Sequence, residues 1–169
     1  MIFFPLDSLD TTLFSGCHSG EINQVIFSFD QKLRATTAID GTVCLWDSDY
    51  NELAQFTGYP NGDMTASFSP DGKLLATAGL DGIVKLWDVE SKDQVAEFKT
   101  GDESRGFDLN FSPDGKQLAM VGNMGILGWW QIESFDQLMV RGCNSVRDYL
   151  ENNPNVEESD RHLCDNVNK

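Results

Sequence analysis

His18, Thr36 and Asp40 are the residue types of a hydroxyl–imidazole–carboxylate triad, in which the ring takes a proton from the hydroxyl and the carboxylate orients the ring. That chemistry also needs an accessible nucleophile beside oxyanion donors in a pocket. Two other pairings carry metal-ligand types, Cys17-His18 near the start and His162-Leu163-Cys164 near the end. Four ligands at zinc-finger spacing are absent, and pairs about 145 positions apart make a poor case for one ion. No Gly-x-x-x-x-Gly-Lys-Ser/Thr loop offers itself to phosphates. The expectation is therefore no catalytic site, no cofactor and no metal.

The elements that would position these residues come from an internal repeat. Trp46-Asp47, Trp87-Asp88 and Trp130-Gln131 follow one another at steps of 41 and 43 residues. Upstream of each stands the same turn: Ser28-Phe29-Asp30-Gln31, Ser69-Pro70-Asp71-Gly72 and Ser112-Pro113-Asp114-Gly115, at the same two steps. Two independent signals in one register over three copies mark a repeat architecture. Within the second unit the pattern predicts four short strands at Thr65–Ser69, Leu74–Ala78, Ile83–Asp88 and Gln94–Lys99. Asp-Gly and Pro-Asp-Gly supply the positive and preset φ angles of tight hairpins. Runs such as Lys73-Leu-Leu-Ala-Thr-Ala suit a sheet covered on both faces. Alternation sends Trp130 into the blade interface and Trp129 to the other side.

These units resemble WD40 repeats, over roughly Leu13 to Val140. The resemblance implies an all-β fold: three four-stranded antiparallel propeller blades forming an incomplete ring, with a short C-terminal helical tail. It also implies a structural tetrad of His, Ser/Thr, Asp and Trp. In the first unit these are His18, Thr36, Asp40 and Trp46; in the second, Thr77, Asp81 and Trp87, with Tyr59 at the His position. The third unit keeps only Trp130, with Asp102, Met120 and Met124 at the other places, so its blade should be the least rigidly pinned. A buried hydrogen-bond chain ending on the Trp46 indole then accounts for the triad-like residues, because buried polar groups need partners.

The expected organisation is an N-terminal segment, 1–17, whose Thr11–Ser15 is an orphan strand of a preceding blade; three repeats within 18–141 (about 18–57, 58–100 and 101–141); and a tail, 142–169. Closed propellers have about four to eight blades. Two open blade faces would expose about 700 Å² of sheet, on the order of 15 kcal/mol as an upper bound. Either this is the C-terminal piece of a longer propeller, or two copies close a six-bladed ring.

The chain carries 12 basic and 27 acidic residues, a formal net charge of −15, so nucleic acid and anionic membranes are not expected partners. No stretch approaches the ~20 apolar residues of a membrane span, and the start lacks the basic region of a signal peptide, which points to the cytoplasm. Cys17, Cys44, Cys143 and Cys164 show no disulfide-framework spacing. They are expected to be reduced and mostly small core residues.

In the tail, Asn144 or Ser145 can cap a helix whose Val146, Tyr149 and Leu150 share a face, stopped at Asn153-Pro154. This segment resembles the one that closes WD40 arrays in bacterial, especially cyanobacterial-type, multidomain signalling proteins. The resemblance implies a non-catalytic scaffold for protein–protein recognition at the end of a signal-transduction sensor; the alternative is a free-standing half-propeller that self-assembles. It also implies a partner-binding face at Glu21, Asn23 and Ile39; Gly62, Met64 and Leu80; and Arg105, Phe107 and Asn123. Partners are then proteins or peptides.

Overall fold

The computed structural model describes residues 16–57, 62, 64–99, 106–122 and 127–133, with Cys143, Val146 and Asn152. The chain divides into two compact units, Met1–Trp130 and Gln131–Lys169.

The first unit is built of antiparallel sheets. β1 (Ile22–Phe27), β2 (Leu33–Ala38), β3 (Val43–Asp47) and β4 (Glu52–Phe56) pair in chain order. So do β5 (Thr65–Phe68), β6 (Leu74–Ala78), β7 (Ile83–Asp88) and β8 (Gln94–Lys99). β9 (Gly106–Phe111), β10 (Gln117–Gly122) and β11 (Leu127–Gln131) make the third sheet among the described residues. Thr11–Ser15 and the last predicted strand, Gln137–Arg141, lie outside the described residues. Strand β1 neighbours β5, and β5 neighbours β9, so the first strands of successive sheets stand side by side.

Each first hairpin is closed by the same device. The Ser28, Ser69 and Ser112 hydroxyls donate to the carboxylates of Asp30, Asp71 and Asp114 at 2.6–2.7 Å. Each Ser hydroxyl also accepts the amide of Leu33, Leu74 or Gln117. Side chains thus satisfy turn groups that a two-strand ladder cannot. The left-handed position is glycine in two turns, Gly72 and Gly115 (φ 71° in both), but Gln31 in the first (φ 61°).

Successive sheets pack through an apolar seam. Ala35, Val43, Leu45 and Phe56 of the first sheet meet Met64, Ala66, Leu75, Trp87 and Val89 of the second, all buried. The Phe56 and Trp87 rings stack with centroids 4.5 Å apart. Phe98 and Trp130 repeat the contact one blade on, at 5.6 Å, while Trp129 is exposed. Polar contacts add register across the seam: the Ala66 amide donates to Gln24, and the Thr37 hydroxyl stands 3.1 Å from the Met64 carbonyl. At Gly62 (φ 66°) an added Cβ would run into the Ile39 carbonyl, so the backbones touch there directly.

Cys143, Val146 and Asn152 have helical backbone. Cys143 is buried and disulfide-bonded, and Val146 is exposed. The proposed caps and the Pro154 stop lie outside the described residues.

Candidate functional site

The triad-like residues assemble on one face of the first blade. Strand pairing puts Thr36 opposite Cys44 and Arg34 opposite Trp46, so these four side chains share the face turned away from the second blade. The lead-in 16–20 crosses that face and delivers Cys17 and His18.

A continuous hydrogen-bonded chain results. The Trp46 indole N–H donates to Thr36 Oγ1 (2.8 Å), and the Thr36 hydroxyl donates to His18 Nε2 (2.6 Å). His18 Nδ1–H donates to Thr42 Oγ1 (2.5 Å), whose hydroxyl donates to Asp40 Oδ1 (2.6 Å). Directions follow from the ends: an indole N–H only donates and a carboxylate only accepts. Burial favours the neutral ring, for which this chain of bonds requires the Nδ1–H tautomer. Burial pushes its pKa down, against the Asp40 and Glu52 carboxylates, which push it up.

Asp40 also fastens the lead-in. It accepts the Ser19 amide (2.5 Å), the Ser19 hydroxyl (2.9 Å) and the Gly20 amide (3.0 Å). Burial raises the Asp40 carboxyl, but the Thr42 and Ser19 hydrogen bonds outweigh it and hold the group well below the usual carboxylate range. Thr36 cannot act as a nucleophile here. It is fully buried, and its proton is committed to a ring that has no vacant nitrogen.

Thr42 is the member that the sequence reading missed. It relays between His18 and Asp40, which do not bond directly. The signal was available in Asp40-Gly41-Thr42, since Asp two residues before a hydroxyl forms an Asx-type turn, and Asp40 Oδ1 also takes the Thr42 amide at 3.0 Å.

The second blade repeats the first link, with the Trp87 indole N–H on Thr77 Oγ1 at 2.8 Å. Asp81 accepts the Ile83 amide within its own turn. Tyr59, Asp102 and Met124 lie outside the described residues. In the third blade, Met120 occupies the threonine position, fully buried.

The cysteines overturn an expectation. Cys17 and Cys44 are buried as foreseen but form a disulfide, with Cα atoms 6.4 Å apart. The two positions stand 27 residues apart, and only the lead-in crossing β3 brings them together. The Cys17 carbonyl is further held by Gln55 Nε2 from β4, at 2.9 Å. Disulfides persist mainly in oxidising compartments, so the reading of a cytoplasmic chain loses the support of reduced thiols.

The loop residues separate. Glu21, Asn23 and Ile39 are exposed and Leu80 is partly so, whereas Met64 is buried in the seam between blades and offers no free side chain. Gly62 is occupied with the Ile39 backbone. Phe107 falls on β9; Arg105 and Asn123 lie outside the described residues. At the opposite, hairpin end a groove of about 520 Å³ is lined by Phe27, Phe29, Phe68, Phe111, Pro70 and Pro113, among others. Phe29 is 86% exposed.

Sheets of three and four antiparallel strands, repeated around Trp-ended units and tied by an internal polar chain, define an incomplete β-propeller. Residues 8–47 and 51–88 match the WD40 family, described as WD domain, G-beta repeat. Both matched spans end on a Trp-Asp pair, and the unit that has lost Thr and Trp-Asp is unmatched. No curated protein matches significantly. The chain is similar to the β-propeller domain of Cps50 (Swd1) from Myceliophteria thermophila, at 22% identity and a TM-score of 0.62, covering 69% of this chain and 36% of that one. It is also similar to a chain of a mitotic checkpoint complex, at 23% identity and a TM-score of 0.60, covering 67% and 35%. Family match and structural likeness together support a WD40 β-propeller. The chain spans about a third of the length of each of these structures.

Proposed function

We propose that this chain is a non-catalytic protein-recognition and scaffold segment of a propeller, the C-terminal end of a bacterial signal-transduction sensor. WD40 propeller domains generally mediate protein–protein interactions. One observation carries the non-catalytic reading: both ring nitrogens of His18 and the Thr36 hydroxyl are consumed in architecture. The loop surface is open to other molecules, with Ile39 48% exposed beside Glu21 and Asn23. One structural neighbour comes from a multiprotein complex, which agrees with such a role. The reading predicts a protein or peptide partner and no binding of nucleic acid or membrane. Among the described residues no helix is long and apolar enough to cross a membrane.

The test compares co-purified proteins for the unaltered chain and for Ile39→Asp, with melting temperatures measured alongside. Loss of one specific partner at unchanged stability supports the loop face. Identical recovery from both chains refutes it.

A second reading, self-assembly into a closed ring, is favoured by Val25 and Phe27. Strand pairing places them with Thr36 and Arg34 on the face turned from the second blade, and they are 42% and 58% exposed. A discrete dimer in solution that Val25→Lys dissociates supports this reading; a monomer at micromolar concentration removes it.

A further inference from the structure

Beside the polar chain, two sulfurs stand next to an imidazole nitrogen at the face of the first blade. Cys17 Sγ, Cys44 Sγ and a ring nitrogen of His18 all lie within 4.8 Å of one another. The geometry points to a thiophilic metal site, formed when the Cys17–Cys44 disulfide is reduced, in which both thiolates and His18 Nδ1 bind a divalent ion of the zinc class.

The spacing fits. Zinc holds sulfur at ~2.3 Å and imidazole nitrogen at ~2.0 Å, so two such ligands at a tetrahedral angle stand ~3.5 Å apart. Cys44 Sγ lies 3.6 Å from His18 Nδ1. Two thiolates on one ion stand ~3.8 Å apart by the same geometry, which a covalent bond between them forbids. Metal and disulfide are therefore mutually exclusive states of one pair. The 6.4 Å between the Cα atoms lies in the upper part of the disulfide range of ~4.4–6.8 Å, so side-chain rotation alone can part the sulfurs.

The surroundings suit a cation. Asp40 and Glu52 act on His18 as negative charges, and the described residues place no basic side chain in the polar chain. The ring's other nitrogen already has an oxygen to orient it. His18 Nε2 faces Thr36 Oγ1 at 2.6 Å, and a ligating histidine characteristically directs its other nitrogen to such an oxygen. The fourth position is left to solvent, on the partly exposed side of His18.

The steps balance. A low-molecular-weight thiol or dithiol supplies two electrons and two protons, the S–S bond breaks, both cysteines become thiols, and the reductant leaves as its own disulfide. Ion binding then releases the two thiol protons to solvent and forms two sulfur–metal bonds and one nitrogen–metal bond. The ring stays neutral. Its proton passes from Nδ1 to Nε2 and is donated to Thr36 Oγ1, whose two lone pairs accept both it and the Trp46 indole N–H.

Cobalt(II) titration of the full chain provides the test, in a Cys143→Ser, Cys164→Ser background that removes the other two cysteines. The reduced protein should take about one cobalt per chain with a thiolate-to-cobalt absorption band, and zinc should displace it. The oxidised protein should show no band. Cys44→Ser should abolish the band, and Thr42→Val, which spares all three ligands, should retain it. Thr36→Ala, which removes the oxygen facing His18 Nε2, should weaken cobalt binding about tenfold or more. A folded, reduced chain without the band overturns the assignment, as does a band that survives Cys44→Ser.

Discussion

The first and third blades build the same sheet by different means. In the first, Thr36 receives the Trp46 indole and passes a hydrogen bond to His18, so a fully buried hydroxyl is satisfied on both sides. In the third, the residue ten before the tryptophan is Met120, an apolar side chain that needs no partner, and Trp130 is held by ring contact with Phe98. Both leave the strand order and the tryptophan in place. The blade is therefore specified by register, turns and the apolar seam. The polar chain is an addition that fastens the lead-in 16–20 to the face of one blade, where a hydroxyl once buried must be fully bonded.

The heaviest blow to both designs falls on the seam. Leu75 is fully buried between the first two blades, and Leu75→Ala should cost about 2–5 kcal/mol, lowering the denaturant midpoint. The next experiment separates polar from apolar fastening. Thr36→Val strands both the Trp46 N–H and its bond to His18, and should cost about 2–3 kcal/mol. Thr77→Val removes the bond to the Trp87 N–H and should cost about 1–2 kcal/mol.

Acid should weaken all three blades through their shared turns. The Ser28 and Ser112 hydroxyls draw Asp30 and Asp114 below the ordinary carboxylate value; at Asp71 burial works upward and is outweighed by Ser69 and the Lys73 amide. The unfolded chain thus takes up protons at a higher pH than the folded one. Stability from these groups is complete above the ordinary value of 3.8 and is lost as the pH falls through the depressed folded values. Urea midpoints should fall on acidification, more shallowly in an Asp30→Asn, Asp71→Asn, Asp114→Asn variant. The smallest effect sharpens the comparison at one residue. Gln31 holds the left-handed angle that Gly72 and Gly115 adopt freely, so Gln31→Gly should raise stability by about 1 kcal/mol and Gly72→Ala lower it by a similar amount.

The repeat made much of this fold legible. Ser-x-Asp turns and tryptophans at fixed steps placed the second blade's strands to within one residue at a single end, Ser69 against the observed Phe68. That succeeded because hairpin ladders are local, and a turn residue dictates the strands beside it. The alternation argument also placed Trp129 and Trp130 on opposite sides. The first blade's site was only partly legible. His18, Thr36, Asp40 and Trp46 followed from the resemblance to WD40 repeats, but Thr42 did not, because the second unit has Ile83 at that place and the tetrad has no position for it. The Cys17–Cys44 bond was invisible because it depends on a lead-in crossing another strand, which no local spacing encodes. Met64 stands at a loop position by sequence, yet the adjoining blade covers it.

Gly62 sets a limit of another kind. Its backbone rests on the Ile39 carbonyl with no room for a methyl group, so the angle between the first two blades is gauged by main chain rather than by side chains. Substitutions in the seam change how firmly the sheets adhere while that stop keeps their spacing. A side chain at 62 would act as a wedge, and because the second blade also carries the third, its error would be passed on to the sheet stacked beyond it.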